Sequence, residues 1–148
     1  MKFLRTIRRD SSDRENFPTA AEPGEWAVSG AFVFSEREPA MLIGKDLQAF
    51  RTGFLGAESF GWSSLVEVAE ISPSEYEEVV EQLAVYLMEE FAAPDRAAAL
   101  AFANEEGKFA QSLCDRPLGT LVAVERSFGP QGISERFRTV EPGEAEKD

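Results

Sequence analysis

Hydrophobic and polar residues follow two periods along the chain, and these periods divide it into strands and helices. Apolar residues recur at every second position, or form short apolar runs, in five segments. Such segments are typical of β-strands. They are residues 3–8, 26–34, 63–71, 119–128 and 133–140. The last two flank the turn sequence GPQG, which predicts that they form a hairpin.

Helical spacing of apolar residues appears in three other segments. They are residues 39–50, 73–91 and 94–113. The middle segment also carries a start signal. Ser72 precedes Pro73, and Glu75 stands at the third helical position, which is the pattern of a capping box. We therefore predict a helix beginning directly after Ser72.

The elements come in the order ββαβααββ, which predicts an α+β fold. We expect a mostly antiparallel sheet of about five strands with the helices packed on one face. The two long helices should pack as a pair on this sheet. Residues 1–140 form a single domain in this interpretation, and residues 141–148 form a disordered acidic tail.

The net charge of the chain limits the classes of partner that it can bind. The chain of 148 residues has 27 acidic and 15 basic residues and a net charge of −12. This charge repels phosphate backbones and anionic lipids, so we predict neither nucleic acid nor membrane as a partner. Apolar runs such as residues 83–88 are far shorter than the ~20 residues that span a bilayer. Together with a single cysteine, which suggests a reducing compartment, this predicts a cytoplasmic protein.

The sequence contains no histidine, and this absence excludes several kinds of site. Ser-His and Cys-His nucleophile pairs and His-ligated zinc are ruled out. One cysteine per chain also rules out thiolate zinc and iron–sulfur sites within a single chain. We therefore predict no metal and no cofactor, assign no catalytic residues, and favour a function without catalysis.

The helix predicted after Ser72 has two apolar residues that lie outside its apolar stripe. Val85 and Met88 are one turn apart and point toward Glu77, Glu81 and Glu89. A small apolar anchor with a polar rim is the usual anatomy of a contact site. We therefore predict a protein-interaction or accessory domain of a larger complex, which docks a basic surface on a partner protein or on a second copy through this acidic helix.

The second long helix has a predicted apolar stripe with carboxylates at its edges. The stripe consists of Ala98, Phe102, Phe109 and Leu113. Glu106 falls on one edge and Glu105 near the other. Such carboxylates extend to solvent, form an ion pair with arginine, or serve as catalytic groups with a raised pKa. Arg126, Arg136 and Arg138 on the last hairpin are possible partners.

An alternative function is a small-molecule binding domain or weak enzyme, with a pocket near aromatic residues and the cysteine. Phe60 and Trp62 lie among turn glycines, and Cys114 and Arg116 lie at the end of the second long helix. A helix C-terminus carries partial negative charge and raises a thiol pKa, whereas reactive cysteines need the opposite setting. Cys114 is therefore expected to fill the core rather than to react.

Several stretches of the chain resemble one known family. They are KFLRTIR, AAEPGEWAVSGAF, GFLGAESFGWSSLVEV, SLCDRPLGTLVAVERSF and ERFRTV. They are similar to a family of short uncharacterised proteins from alphaproteobacteria, catalogued as a domain of unknown function. The resemblance covers residues 2–140 and implies a single bacterial domain. It implies no activity and no catalytic residues.

Overall fold

The computed structural model of the protein describes residues 1–143, so most of the predicted acidic tail lies outside the described residues. Within them, the strands form one sheet in which every pairing is antiparallel. The strands are β1 (Lys2–Thr6), β2 (Trp26–Val28), β3 (Phe54–Gly56), β4 (Trp62–Ser63), β5 (Val66–Glu70), β6 (Leu121–Gly129) and β7 (Gly132–Val140). Their order across the sheet is β4-β3-β2-β1-β5-β6-β7. The sheet curls into a half-barrel.

Four α-helices and two short 3-10 turns complete the described chain. The helices are α1 (Ser12–Asn16), α2 (Gly44–Thr52), α3 (Pro73–Glu90) and α4 (Arg96–Ser112). The 3-10 turns are Ala31–Phe34 and Pro39–Met41. Helices α3 and α4 pack against each other, and α4 also contacts β1 and β2. The helix pair predicted for residues 73–91 and 94–113 is therefore present.

The predicted sheet of about five strands in the order ββαβααββ is wrong, because the described sheet has seven strands. Strands β3 and β4 escaped prediction since they have only three and two residues, all buried and without alternation. The predicted strand 26–34 is also too long. It ends after Val28, and Gly30 adopts a left-handed backbone (φ +85°) that redirects the chain into a 3-10 turn.

The curl of the sheet brings the β6–β7 hairpin close to residues at the other side of the core. Arg126 on β6 donates hydrogen bonds to the backbone carbonyls of Ser29, Phe50 and Gly53. The rings of Phe50 and Phe128 stack with their centroids 4.2 Å apart. Helix α2 and the end of β2 are thereby joined to the hairpin by polar and apolar contacts.

Helix α3 follows the sequence pattern. The Ser72 hydroxyl accepts a hydrogen bond from the Glu75 amide, and the Glu75 carboxylate accepts one from the Ser72 amide, which confirms the capping box. The buried residues lie on one stripe of the helix. They are Val79, Val80, Leu83, Ala84 and Leu87. Burying this stripe supplies most of the stability of such a helix, since isolated helices of this length are marginal in water.

Helix α4 does not follow the predicted stripe. Its buried residues are small, and they are Ala99, Ala103, Gly107 and Ala110. Phe102 and Phe109, predicted to face the core, are exposed. Small side chains allow α4 to approach α3 closely: a Cβ at Gly107 would lie 2.6 Å from the Tyr76 hydroxyl oxygen. Close helix packing therefore decided which face of α4 is buried.

Candidate functional site

The outer face of α3 contains the residues predicted to contact a partner. Val85 and Met88 are 40% and 41% exposed, although they are apolar. Glu77 and Glu89 are exposed on the same side of the helix. We call this surface the α3 outer face, and from Glu77 to Glu89 it extends over roughly 18 Å at about 1.5 Å per residue.

The charges of the α3 outer face are not all free. The Glu81 carboxylate pairs with Arg96 at the start of α4, with Nη1 and Oε1 2.6 Å apart. The hydrogen bond and the charge of Glu81 raise the pKa of Arg96. Within the described residues, no ion pair is formed by Glu77 or Glu89. Glu81 is thus tied to α4, and the other carboxylates face solvent.

Acidic residues also crowd positions that the sequence analysis did not assign to this surface. Glu78 is exposed and falls between Val85 and Glu89 when α3 is viewed along its axis. The last turn of α3 has Glu89 and Glu90 and no basic residue. Negative charge at a helix C-terminus opposes the helix dipole. The unfavourable placement of Glu89 and Glu90 can be seen in the sequence alone, and it could have identified this end of α3 as part of the candidate site.

The aromatic half of the alternative pocket lies in two different environments. Trp62 is buried on β4, and its ring packs 5.2 Å from that of Phe34. Phe60 is half-buried and stacks on Tyr86 of α3 at 3.9 Å between centroids. Its backbone is left-handed (φ 55°), which is uncommon for an aromatic residue. Phe60 is therefore held on the surface of α3, beside the core that contains Trp62.

The other half of the alternative pocket lies after α4. Cys114 is buried, its thiol donates a hydrogen bond to the Ala110 carbonyl, and burial raises its pKa to about 12. Arg116 pairs with Glu141 at 3.8 Å. A cavity of about 500 Å³ beside Arg116 is lined by residues from the end of α4, the segment after it, β6 and β7, and includes neither Phe60 nor Trp62. The structure does not join the two halves there.

A buried charge cluster on the β6–β7 hairpin was only partly foreseen. The Arg126 guanidinium is fully buried, and its Nε donates to the Glu135 carboxylate at 2.9 Å. The Ser29 hydroxyl donates to the same carboxylate at 2.5 Å. Nη1 and Nη2 of Arg126 each make two further hydrogen bonds. Every N–H of the guanidinium therefore has an acceptor.

Glu106 on α4 lies near this cluster without joining its hydrogen bonds. Burial, together with the negative charge of Glu135, raises the pKa of Glu106 to about 7, although Arg126 opposes the shift. Arg126 was one of the arginines predicted as a partner, yet no hydrogen bond joins the two residues. The neighbouring Glu105 is exposed and lies 3.9 Å from Lys108. Adjacent glutamates thus occupy different environments.

These features define a small α+β protein with a curled antiparallel sheet, an acidic helical face and a buried arginine–carboxylate cluster. The chain belongs to a family of unknown function, DUF6505, which it matches over residues 1–148. No curated protein and no solved structure matches it. No helix of residues 1–143 is long and apolar enough to span a membrane. In that same range, no group of three or more His, Cys, Asp or Glu residues is arranged to hold a metal ion.

Proposed function

We propose that the protein is a non-enzymatic accessory or interaction domain that docks a basic partner surface through the α3 outer face. The observation that carries this proposal is the exposure of Val85 and Met88, 40% and 41%, next to the exposed carboxylates of Glu77 and Glu89. Scattered exposed apolar residues are normal on any protein. Two of them one turn apart with a charged rim match the arrangement of a small contact site.

The charge of the surface supports a basic partner. Helix α3 has six glutamates and no basic residue, in a chain with a net charge of −12. Opposite charge on a partner would speed the encounter, and acidic competitors would be repelled. Two of these glutamates, Glu89 and Glu90, stand where the helix dipole disfavours them. A local cost to stability of this kind is expected where a residue serves binding rather than folding.

A separate partner fits this surface better than the basic N-terminal region of a second copy. The Lys2 ammonium donates a hydrogen bond to the Arg116 carbonyl. Arg8 donates one to the carbonyl of Ala21, and Arg5 lies over the ring of Trp26 at 5.7 Å. These cations are engaged within their own chain, so they are less available to α3 of a neighbour.

Two broader expectations belong to the same proposal. A complex in a bacterial cytoplasm is the expected setting: the single cysteine supports a reducing compartment, and the family resemblance supports a bacterial source. An alphaproteobacterial origin rests on the resemblance of the quoted stretches. Both remain predictions, and so does the alternative ligand pocket near Trp62 and the segment from Cys114 to Arg116.

The test places a photo-cross-linking amino acid at Gln82, which is exposed on the α3 outer face. This replacement of Gln82 is introduced both into the wild type and into the double variant Val85→Lys/Met88→Gln. We expect a cross-linked partner with a basic surface in the wild type, less of it at high salt, and none in the variant. Both proteins should have the same stability within about 0.5 kcal/mol, because the substituted residues are exposed.

The matched control is Ile43→Lys/Met41→Gln, which changes two other exposed apolar residues (74% and 71%) in the same way. This variant should retain the cross-linked product. Equal yields from all three proteins would refute the proposal. A product consisting of two copies of this chain, lost only in Val85→Lys/Met88→Gln, would replace the separate partner by self-association.

A further inference from the structure

A cleft opens between α4, the 3-10 turn Ala31–Phe34 and the tip of the β6–β7 hairpin. Its volume is about 590 Å³, within the range of small-molecule sites. Apolar side chains form most of its wall. They are Phe32, Pro39, Phe128 and Ile133. Glu106 contributes a carboxyl group to this wall, and Arg37 lines it as well. The cleft thus combines an apolar surface with a small number of charged groups.

The carboxyl of Glu106 lacks a partner within the described chain. The nearest cationic cluster cannot supply one, because every N–H of Arg126 is already bonded to a carbonyl, to Ser29 or to Glu135. Arg37 is exposed and lies 3.7 Å from the Asp46 carboxylate. A partly buried carboxyl without a hydrogen-bond donor is unfavourable in its charged form.

The buried charges beside the cleft do not balance, and the exposed Arg37 is already paired with Asp46. Arg126 and Glu135 form a close ion pair and cancel each other. Glu106 adds a second carboxylate to the same neighbourhood, and its pKa of about 7 reflects burial and the charge of Glu135. When Glu106 is ionised, the cluster of Glu106, Arg126 and Glu135 has one uncompensated negative charge. A cation in the cleft would compensate that charge.

We propose that the cleft binds a small organic ammonium ion with an apolar, preferably aromatic, body. The ammonium donates hydrogen bonds to the Glu106 carboxylate, and the body packs against Phe32, Phe128 and Ile133. A charge-assisted hydrogen bond of this kind is about twice as strong as a neutral one. The faces of phenylalanine rings also attract cations. A bare metal ion fits less well, because it needs several oxygen ligands and the wall is mostly apolar.

Binding of a cation should change the protonation of Glu106. The cation favours the carboxylate, so it lowers the pKa of Glu106 and displaces a proton. Near pH 7 a substantial fraction of the Glu106 side chains is protonated before binding, because burial raises their pKa to about 7. The other charged groups facing Glu106 are Arg126, Glu135 and Arg37. We therefore expect a fraction of a proton to be released per ligand bound.

The experiment is titration calorimetry with phenethylamine at pH 7 in two buffers of different ionisation enthalpy. The neutral analogue 2-phenylethanol and the anion 3-phenylpropionate are titrated in parallel. Phenethylamine should bind at least about tenfold more tightly than either analogue, since a hydrogen bond to a charged group is about twice as strong as a neutral one. The binding enthalpies measured in the two buffers should differ, and this difference reports the release of a proton. Amide NMR shifts should be largest around Phe32 and Ile133.

Two variants decide the role of the carboxyl. Glu106→Gln should weaken phenethylamine binding at least about tenfold and abolish proton release. Glu105→Gln changes the exposed neighbour on the same helix and should bind as the wild type does. Circular dichroism confirms that both variants are folded. The proposal is wrong if 2-phenylethanol binds as tightly as phenethylamine, or if Glu106→Gln binds phenethylamine as tightly as the wild type does. It is also wrong if none of the three probes binds at concentrations up to about 10 mM, which would mean a Kd above that value.

Discussion

The glutamates of the α3 outer face and Glu106 on α4 are the same chemical group in opposite surroundings. Glu77 and Glu89 are exposed, and water stabilises their charge. Glu106 is half-buried beside a second carboxylate, and its pKa rises to about 7. Both sets lie on long helices that pack against each other. Their difference comes from their surroundings. The α3 outer face is in contact with solvent, whereas the 3-10 turn Ala31–Phe34 and the β6–β7 hairpin border Glu106.

This contrast separates two ways in which an acidic residue can serve a protein. A hydrated carboxylate costs little to place, acts over about one Debye length, and can steer a partner of opposite charge. A buried carboxyl without a donor is coupled to the fold and to protons, so its charge depends on pH and on any ligand. The α3 outer face fits the first description, and the cleft at Glu106 fits the second.

The largest effect is expected from breaking the cluster beside Glu106. Arg126→Met should lower the free energy of unfolding by about 3–5 kcal/mol, because it leaves the partly buried Glu135 carboxylate without its ion-pair partner and three backbone carbonyls without their donor. Urea denaturation measures the loss. Arg136→Met on the same hairpin is the control, since Arg136 is exposed and should cost less than about 1 kcal/mol. Similar losses in both variants would show that burial of Arg126 does not matter.

A somewhat smaller effect is expected from the Glu106 carboxyl itself. Its folded-state pKa of about 7 lies above the ordinary value of 4.5, so the native protein binds the proton more tightly than the unfolded chain does. The stability contributed by this proton is complete below pH 4.5 and is lost as pH rises through about 7. Glu106→Gln lacks this loss. The difference in free energy of unfolding between the variant and the wild type should therefore be up to about 3 kcal/mol more favourable to the variant at pH 8 than at pH 4.

Unfolding free energies of the two proteins are compared at pH 4, 6 and 8. Glu105→Gln is the matched control, because it makes the same change at an exposed position one residue away. Its difference from the wild type should not grow with pH. If the Glu106→Gln difference is equally flat, the contrast between the buried and the hydrated carboxylates disappears.

The rotation of α4 that places Glu106 at the cleft also places Gly107 against α3. Gly107→Ala should lower the free energy of unfolding by about 1–2 kcal/mol, because its Cβ would lie 2.6 Å from the Tyr76 hydroxyl oxygen. This net loss remains after the gain in helix propensity of alanine over glycine. Thermal denaturation measures it. Adding Tyr76→Phe should restore part of the stability, and no recovery would mean that the hydroxyl is not the obstacle.

The smallest effect concerns the hydrated glutamates. Glu89→Lys should raise the free energy of unfolding by about 0.3–1 kcal/mol, because a cation replaces an anion in the last turn of α3. The gain should shrink at high salt. Glu77→Lys, near the opposite end of the helix, should give no such gain. A loss of stability in Glu89→Lys would indicate that Glu89 makes a contact within the fold.

The sequence predicted the elements whose signals are local. The capping box at Ser72 and Glu75 and the periodic apolar stripe of α3 depend on residues within one helix, and both are present. The GPQG turn likewise joins the paired strands β6 and β7. Exposure of Val85 and Met88 follows from the same stripe, because residues opposite a buried face must point outward.

Errors arose where distant segments decided the outcome. The predicted stripe of α4 chose the large residues Phe102 and Phe109, but close packing against α3 favoured the small ones. Strands β3 and β4 are too short to show a period, and they exist because neighbouring strands satisfy their backbone hydrogen bonds.

The environment of each charged residue also required the tertiary structure. By itself, the sequence determined the net charge of −12, the absence of histidine and the acidic outer face of α3. It placed Arg126 and Glu106 only as possible partners. The curl of the sheet buried Arg126 among carbonyls just after β2 and at the end of α2, and left Glu106 beside it with no hydrogen-bond donor among residues 1–143. Burial and charge depend on neighbours remote in sequence, and these are set only when the chain has folded.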